Sequence, residues 1–241
     1  MDMVLSAVAD KRPFHLLRLG DGEAWALQSQ KDDDPKSMPN RVWLNHNGSI
    51  PEDPQDKKKL LLSLRRAIRD ASVLGVHSSA HHKCGTNLEY LNQLFLDLHA
   101  TEFRCRADVH RNWLQSGQLD RLWRACTRVL LISGHDLSDV VVARYPHLTT
   151  VLEMKIPLEA KYFGTGVPHF PDIWIRTMAE LACEDWTGTV CMYGAGFIGK
   201  SYGAVVQTNG GVAIDLGSVF DLWAGLERRG SNKGVCETWK L

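Results

Sequence analysis

The chain has 241 residues, and its 28 Lys and Arg are cancelled by 28 Asp and Glu, so the formal net charge is zero. At 44% hydrophobic and 23% charged residues it has the balance of a folded globular protein, which excludes a disordered chain and argues against a dedicated nucleic-acid binder with its basic excess. No stretch approaches the roughly 18 apolar residues of a membrane span, no basic n-region precedes the short apolar patch 4–9, and six scattered Cys without a CxxC disfavour a disulfide frame or zinc ribbon, so a cytoplasmic location is the expectation.

Short β-branched or Leu-rich runs predict strands at 14–19, 73–77, 128–133, 149–153, 189–193 and 212–216. Helix-period segments predict helices at 56–71, 86–99, 109–125, 137–145, 172–183 and 198–208. Strands alternating with helices of this length predict βαβ units, hence an α/β fold with a mostly parallel, doubly wound sheet of about six strands. One domain over 1–241 is expected, with an irregular excursion at 31–54 that is rich in Asp, Pro, Asn and Gly. The first strand lies close to the chain start, so a place in a larger polypeptide or assembly is a further expectation. The basic face of 56–71 (Lys57, Lys58, Lys59, Arg65, Arg66, Arg69) reads as a solvated surface in preference to a membrane contact.

In open α/β sheets ligands bind beyond the carboxyl ends of the strands. The chemically loaded stretches all fall there: Asp21 and Glu23 after the first strand, a His/Ser/Cys loop at 77–85 after the second, Gly134-His135-Asp136 after the third, the glycine run 194–201 after the fifth and 215–221 after the sixth.

The run Gly194-Ala-Gly196-Phe-Ile-Gly199-Lys200-Ser201 satisfies two patterns at once. As GxxxxGK[ST] it is a P-loop string, which would make the chain an NTP-dependent phosphotransferase. As GxGxxG with Asp215 downstream it is a dinucleotide fingerprint. Only 40 residues follow Ser201, too few for the rest of either fold. Two simpler readings therefore stay open: glycines that permit tight strand–helix packing, or a helix N-terminus that holds a phosphate.

The run Arg18-Leu-Gly20-Asp21-Gly22-Glu23 puts two carboxylates two residues apart on a glycine-flanked turn. Such a pair aims at one hard cation, Mn²⁺ or Mg²⁺, shared with a diphosphate. Helix capping by the same residues is the competing reading.

The string Arg18-Leu-Gly-Asp-Gly-Glu23 resembles the signature of bacterial glycosyltransferases of the GT-D fold. The run 194–200, followed by Gly210-Gly-Val-Ala-Ile-Asp215-Leu-Gly-Ser-Val-Phe-Asp221-Leu-Trp223, is similar to the end of such proteins. The resemblance implies a Rossmann-like sheet and a metal-dependent transfer from a nucleotide-sugar donor, often UDP-linked, to a glycan or glycoconjugate acceptor. It implies Asp21 and Glu23 as metal and catalytic residues, and the strand-end reading adds Arg18, Gly20, Gly22, Gly194, Gly196, Gly199, Lys200 and His135 around the donor. The base stays open among Asp215, Asp221 and His135, and a non-catalytic nucleotide-sugar-binding module is a further alternative. The loop residues His77, His81, His82 and Cys84 match no standard metal spacing and read as phosphate contacts or a base. Trp25, Trp43 and Trp223 are candidates for stacking on sugar or uracil, with core packing the competing reading.

Overall fold

The structure, a computed structural model, describes residues 1–28, 37–76, 93, 95–164 and 166–226. Seven parallel strands form one sheet in the order β3-β2-β1-β7-β6-β4-β5. They are β1 Phe14–Arg18, β2 Val73–Val76, β3 Arg104–Arg106, β4 Arg128–Ser133, β5 Thr150–Lys155, β6 Thr189–Tyr193 and β7 Val212–Asp215. Six coincide with the predicted runs. The seventh, β3, is a three-residue edge strand of sequence Arg-Cys-Arg, whose hydrogen bonds to β2 form without any apolar run to announce them.

The helices described are α1 Asp2–Ala9, α2 Asp21–Gln28, α3 Met38–Asn47, α4 Pro54–Asp70, α5 Val109–Gln115, α6 Gln118–Ala125, α7 Ser138–Arg144, α8 Ala160–Phe163, α9 Trp174–Ala182, α10 Lys200–Thr208 and α11 Val219–Trp223. Helix α4 shows why the periodicity was legible. Asp53 caps its first turn by accepting the Gln55 N–H at 2.8 Å, Pro54 opens it, and Leu60, Leu61, Leu64, Ala67 and Ile68 face the sheet at helical spacing. Its Lys58, Lys59, Arg66 and Arg69 stand on the exposed side, as a solvated face should.

Three expectations need correction. The excursion 31–54 is not irregular throughout, because α3 forms inside it: Ser37 accepts the Asn40 N–H at 3.4 Å, a proline sits in the first turn, and Gly48 at φ 77° ends the helix. Val42 and Trp43 of α3 are buried in the core, and that burial outweighs the polar composition. The predicted helix 109–125 is two helices, broken at Gly117 with φ 72°. The helix expected from 198 starts at Lys200. The loop 77–85 lies outside the described residues, as does most of the predicted helix 86–99, of which 95–98 are helical.

Two apolar layers enclose the sheet. One face packs Leu17, Leu19, Leu130, Ile132, Tyr193 and Ala213 under α3, α4 and α10. The other packs Phe14, Leu16, Val129, Leu131, Val190 and Ile214 against α1, α5, α6 and α11. This alternation along each strand is the signature of a sheet buried on both faces. The chain leaves β4 towards β5 and leaves β6 towards β7, in opposite directions across the sheet. The carboxyl ends of β4 and β6 therefore open a crevice where no connection crosses.

Candidate active site

A cavity of about 310 Å³ occupies that crevice. Its wall draws on the ends of six strands, with Arg18 and Glu23 at β1, His110 after β3, His135 after β4, Glu159 after β5, Gly196 and Lys200 after β6, and Asp221 after β7. The two sequence signatures, at opposite ends of the chain, meet there because β1 and β7 are hydrogen-bonded neighbours.

Four charged side chains lock the floor together. Asp215, at the end of β7, is 1% exposed. It accepts the Arg18 backbone N–H at 3.2 Å and faces the Arg18 guanidinium at 3.4 Å. It also pairs with the Lys200 ammonium, which lies 3.3 Å from Glu23 Oε1. Arg18 donates further to the Asp215 carbonyl at 2.8 Å and to the Ala107 carbonyl at 2.8 Å. Burial alone would raise the Asp215 pKa, but the charges of Lys200 and Arg18 overturn this and hold it at about 2. A carboxylate that enclosed and that closely paired with Lys200 and Arg18 acts as a structural anion, which weighs against Asp215 as the base. The same pairing qualifies the role expected of Arg18 and Lys200: their positive field is largely cancelled by two carboxylates before any ligand arrives. The Arg18 guanidinium contacts both ring nitrogens of His110, Nε2 at 2.9 Å, and burial, then Arg18, pushes the His110 pKa down to about 2. It is neutral.

Glu23 realises the capping reading. It is the third residue of α2, and its Oε2 accepts the N–H of Gly20 at 2.7 Å, one half of a capping box. Asp21 opens α2 and is described by its backbone alone. Among the described residues no three or more His, Cys, Asp or Glu side chains converge as a preformed metal centre. Glu23 nonetheless stands in the cavity wall, with its Oε1 3.3 Å from the Lys200 ammonium.

The glycine run is not a P-loop in its geometry. A P-loop Lys turns towards phosphate, whereas Lys200 turns beneath the loop to two carboxylates. The N–H groups of Gly199 and Tyr202 are taken by the carbonyls of Ala195 and Gly199, each at 3.1 Å. Gly199 packs so closely on Ala195 and Tyr202 that a side chain has no room, the tight-packing reading. Gly196 differs. It has φ +55°, and a Cβ there would lie 2.6 Å from Nδ1 of His46. The close approach that a dinucleotide fingerprint reserves for pyrophosphate is here occupied by an imidazole.

His46 comes from α3, in the segment expected to be irregular, and sequence reasoning missed it. The available signals were local, namely Ser37 and the nearby proline as a helix start and Gly48 as its stop. Its Nδ1 lies 3.3 Å from Glu159 Oε1, within ion-pair reach but outside hydrogen-bond geometry. A second imidazole–carboxylate pair sits after β4, where His135 Nε2 meets Asp221 Oδ1 at 2.9 Å. Two of the three residues considered as bases are therefore partners of each other. Trp43 and Trp223, 0% and 3% exposed, are core side chains rather than stacking platforms, while Trp25 is half-buried against the core. Cys105, Cys126, Cys183 and Cys191 are free thiols. Cys84 and Cys236 lie outside the described residues.

A family described as GT-D fold-like domains matches residues 1–223. The chain belongs to the GT-D fold-like family. Solved structures carry the same glycosyltransferase fold. One, of domain of unknown function 1792, described as having a distinct glycosyltransferase fold, has a TM-score of 0.54 at 16% identity, over 89% of this chain and 75% of that one. Another, a glycosyltransferase of the same domain from Streptococcus sanguinis, has a TM-score of 0.53 at 13% identity, over 90% and 79%. No curated protein matches. The GT-D assignment accounts for a P-loop string near the end of a chain whose sheet is not that of a P-loop enzyme. No helix among the described residues is long and apolar enough to cross a membrane.

Proposed function

We propose that this GT-D fold-like chain transfers a sugar from a nucleoside-diphosphate sugar, UDP-linked in the first instance, to a glycan or glycoconjugate acceptor. The observation that carries this reading is the convergence of both terminal signatures on one crevice at the sheet's switch point. There Arg18, Lys200, Glu23 and the turn 194–196 share the wall with His135. A diphosphate entering the crevice competes with Glu23 for Lys200, whose 3.3 Å contact to Glu23 is looser than its pairing with Asp215. Asp215 keeps Lys200 and Arg18 in place during that exchange. Glu23, once released, offers carboxylate oxygen to a divalent ion. Mn²⁺ or Mg²⁺ would be held by Glu23 and Asp21 with the donor's own phosphate oxygens, which is the hard-oxygen set these ions take. When bound, such an ion supplies neutralisation of the charge that develops on the departing diphosphate.

The test is a thermal-shift panel of UDP-, GDP- and CMP-sugars, ATP and NAD, each with and without Mn²⁺. A nucleotide sugar at 100 times its Kd should stabilise the fold by about 2.7 kcal/mol. Stabilisation by ATP alone, lost in Lys200→Ala and kept in Asp21→Ala, would return the chain to the phosphotransferase class.

A further inference from the structure

Two imidazole–carboxylate pairs flank the crevice, and they are not equivalent. His135 is 8% exposed and lodged against Asp221 and the Phe163 ring, 5.8 Å away between centroids. His46 keeps 22% of its side chain exposed and Glu159 keeps 20%, both in the cavity wall. A group that exchanges a proton with substrate must reach it, and this condition favours His46.

The surroundings of His46 are built to aim it. Its ring stands edge-on to Phe197 at 5.3 Å and 85°. Next to it in α3, Asn47 accepts the Phe170 N–H at 2.7 Å and donates to the Phe170 carbonyl at 3.1 Å, which anchors the end of the helix. The ring lies between the two signature loops. Its Nδ1 faces Gly196, and its Nε2 is 3.7 Å from where a Gly22 Cβ would be. Gly22 belongs to the Asp-Gly-Glu turn. Both loops therefore present glycine to this one imidazole. Glu159, arriving from the loop after β5, faces Nδ1. The negative charge of the Glu159 carboxylate, 3.3 Å from Nδ1 though not hydrogen-bonded to it, favours the tautomer with the proton on Nδ1 and leaves Nε2 as the acceptor.

We propose that His46, oriented by Glu159, is the general base that activates the acceptor hydroxyl. This rests on the transfer reading above. The acceptor oxygen bonds to the anomeric carbon of the donor as its proton passes to His46 Nε2. The bond from that carbon to the phosphate oxygen breaks, and its electron pair leaves with the nucleoside diphosphate. The imidazolium so formed faces the Glu159 carboxylate. Direct displacement of this kind inverts the anomeric centre. Glu159 is a positioning residue, because it acts through the ring.

The experiment uses the sugar nucleotide that the wild type hydrolyses fastest, with water in the acceptor's place. His46→Gln should lower kcat by about 10²–10⁴-fold, the usual worth of a positioned base, with the donor KM and thermal stabilisation unchanged. Glu159→Gln, a substitution on a partly exposed side chain that leaves the core alone, should lower kcat at least tenfold with the same unchanged KM. His46→Gly should recover activity when imidazole is added. The first sugar released should carry the anomeric configuration opposite to the donor's. A His46→Gln enzyme that keeps kcat within about threefold, or a product of retained configuration, overturns the assignment and leaves the transfer reading standing. A wild type that turns over no sugar nucleotide overturns both.

Discussion

Lys200→Met tests the charge cluster that holds the two ends of the chain together. The substitution keeps most of the side chain's volume and removes the ammonium between Asp215 and Glu23. Asp215 is then a buried carboxylate facing Arg18 alone, and breaking a buried pair in this way costs about 3–5 kcal/mol. Arg18 remains within 3.2 Å through its backbone N–H and 3.4 Å through its guanidinium, which places the expectation at about 3 kcal/mol, the lower end of that range. The acid shift gives a similar size. A carboxyl held at about 2 instead of 3.8 contributes about 2.5 kcal/mol above pH 4, and this is lost as pH falls through the folded value. In Lys200→Met burial acts on Asp215 with less opposition and its pKa rises. The deficit relative to wild type therefore narrows as the solution is acidified. Urea unfolding followed by the fluorescence of the buried Trp43, Trp123 and Trp223 measures the cost. The double variant Lys200→Met/Asp215→Asn should recover at least about 1 kcal/mol against the sum of the single changes. A Lys200→Met cost under about 1 kcal/mol, with no coupling to Asp215, would refute the buried cluster.

Burial pushes His15 and His169 down to about 3, and burial with Arg18 pushes His110 down to about 2. The unfolded chain therefore takes up three protons below pH 6.5 that the native state refuses. Stability should fall on acidification with a slope approaching about 4 kcal/mol per pH unit between pH 5.5 and 4, and urea midpoints that stay flat over that window would contradict it. Gly196→Ala places a Cβ at φ +55° against His46, and should cost about 1–2 kcal/mol by differential scanning calorimetry while also slowing turnover. Asn47→Ala leaves the Phe170 N–H and carbonyl without their partner, a loss of about 2–4 kcal/mol in urea unfolding. A loss under 0.5 kcal/mol would mean water replaces the amide at no cost.

The strands at 128–133, 189–193 and 212–215 were legible because both their faces are buried and their central residues are apolar, with the polar residues Arg128, Ser133, Thr189 and Asp215 confined to their ends. Strand β3 was not, since an edge strand of Arg-Cys-Arg draws its stability from backbone pairing with β2, which leaves no mark on composition. Helix α3 was hidden by the polar residues around it, although Ser37 and Gly48 carried correct start and stop signals. At the site, strand ends located the crevice, and they located Arg18, Glu23, His135, Lys200 and Asp215 in its wall or floor. What they could not give was partnership. Lys200 resembles a phosphate ligand in sequence and becomes an internal counter-ion because β7 lies between β6 and β1, which brings Asp215 and Glu23 to it. His46 and Glu159 meet across the fold from two segments with no shared pattern.

Whether the crevice transfers sugar is decided by release of free nucleoside diphosphate from UDP- and GDP-sugars, in wild type and in Asp21→Asn and Glu23→Gln with and without Mn²⁺. The wild type should release it from at least one sugar nucleotide, and each variant should lose about 10²-fold or more of that rate. No release from any of them, or variants that match the wild type, would contradict transfer at the crevice.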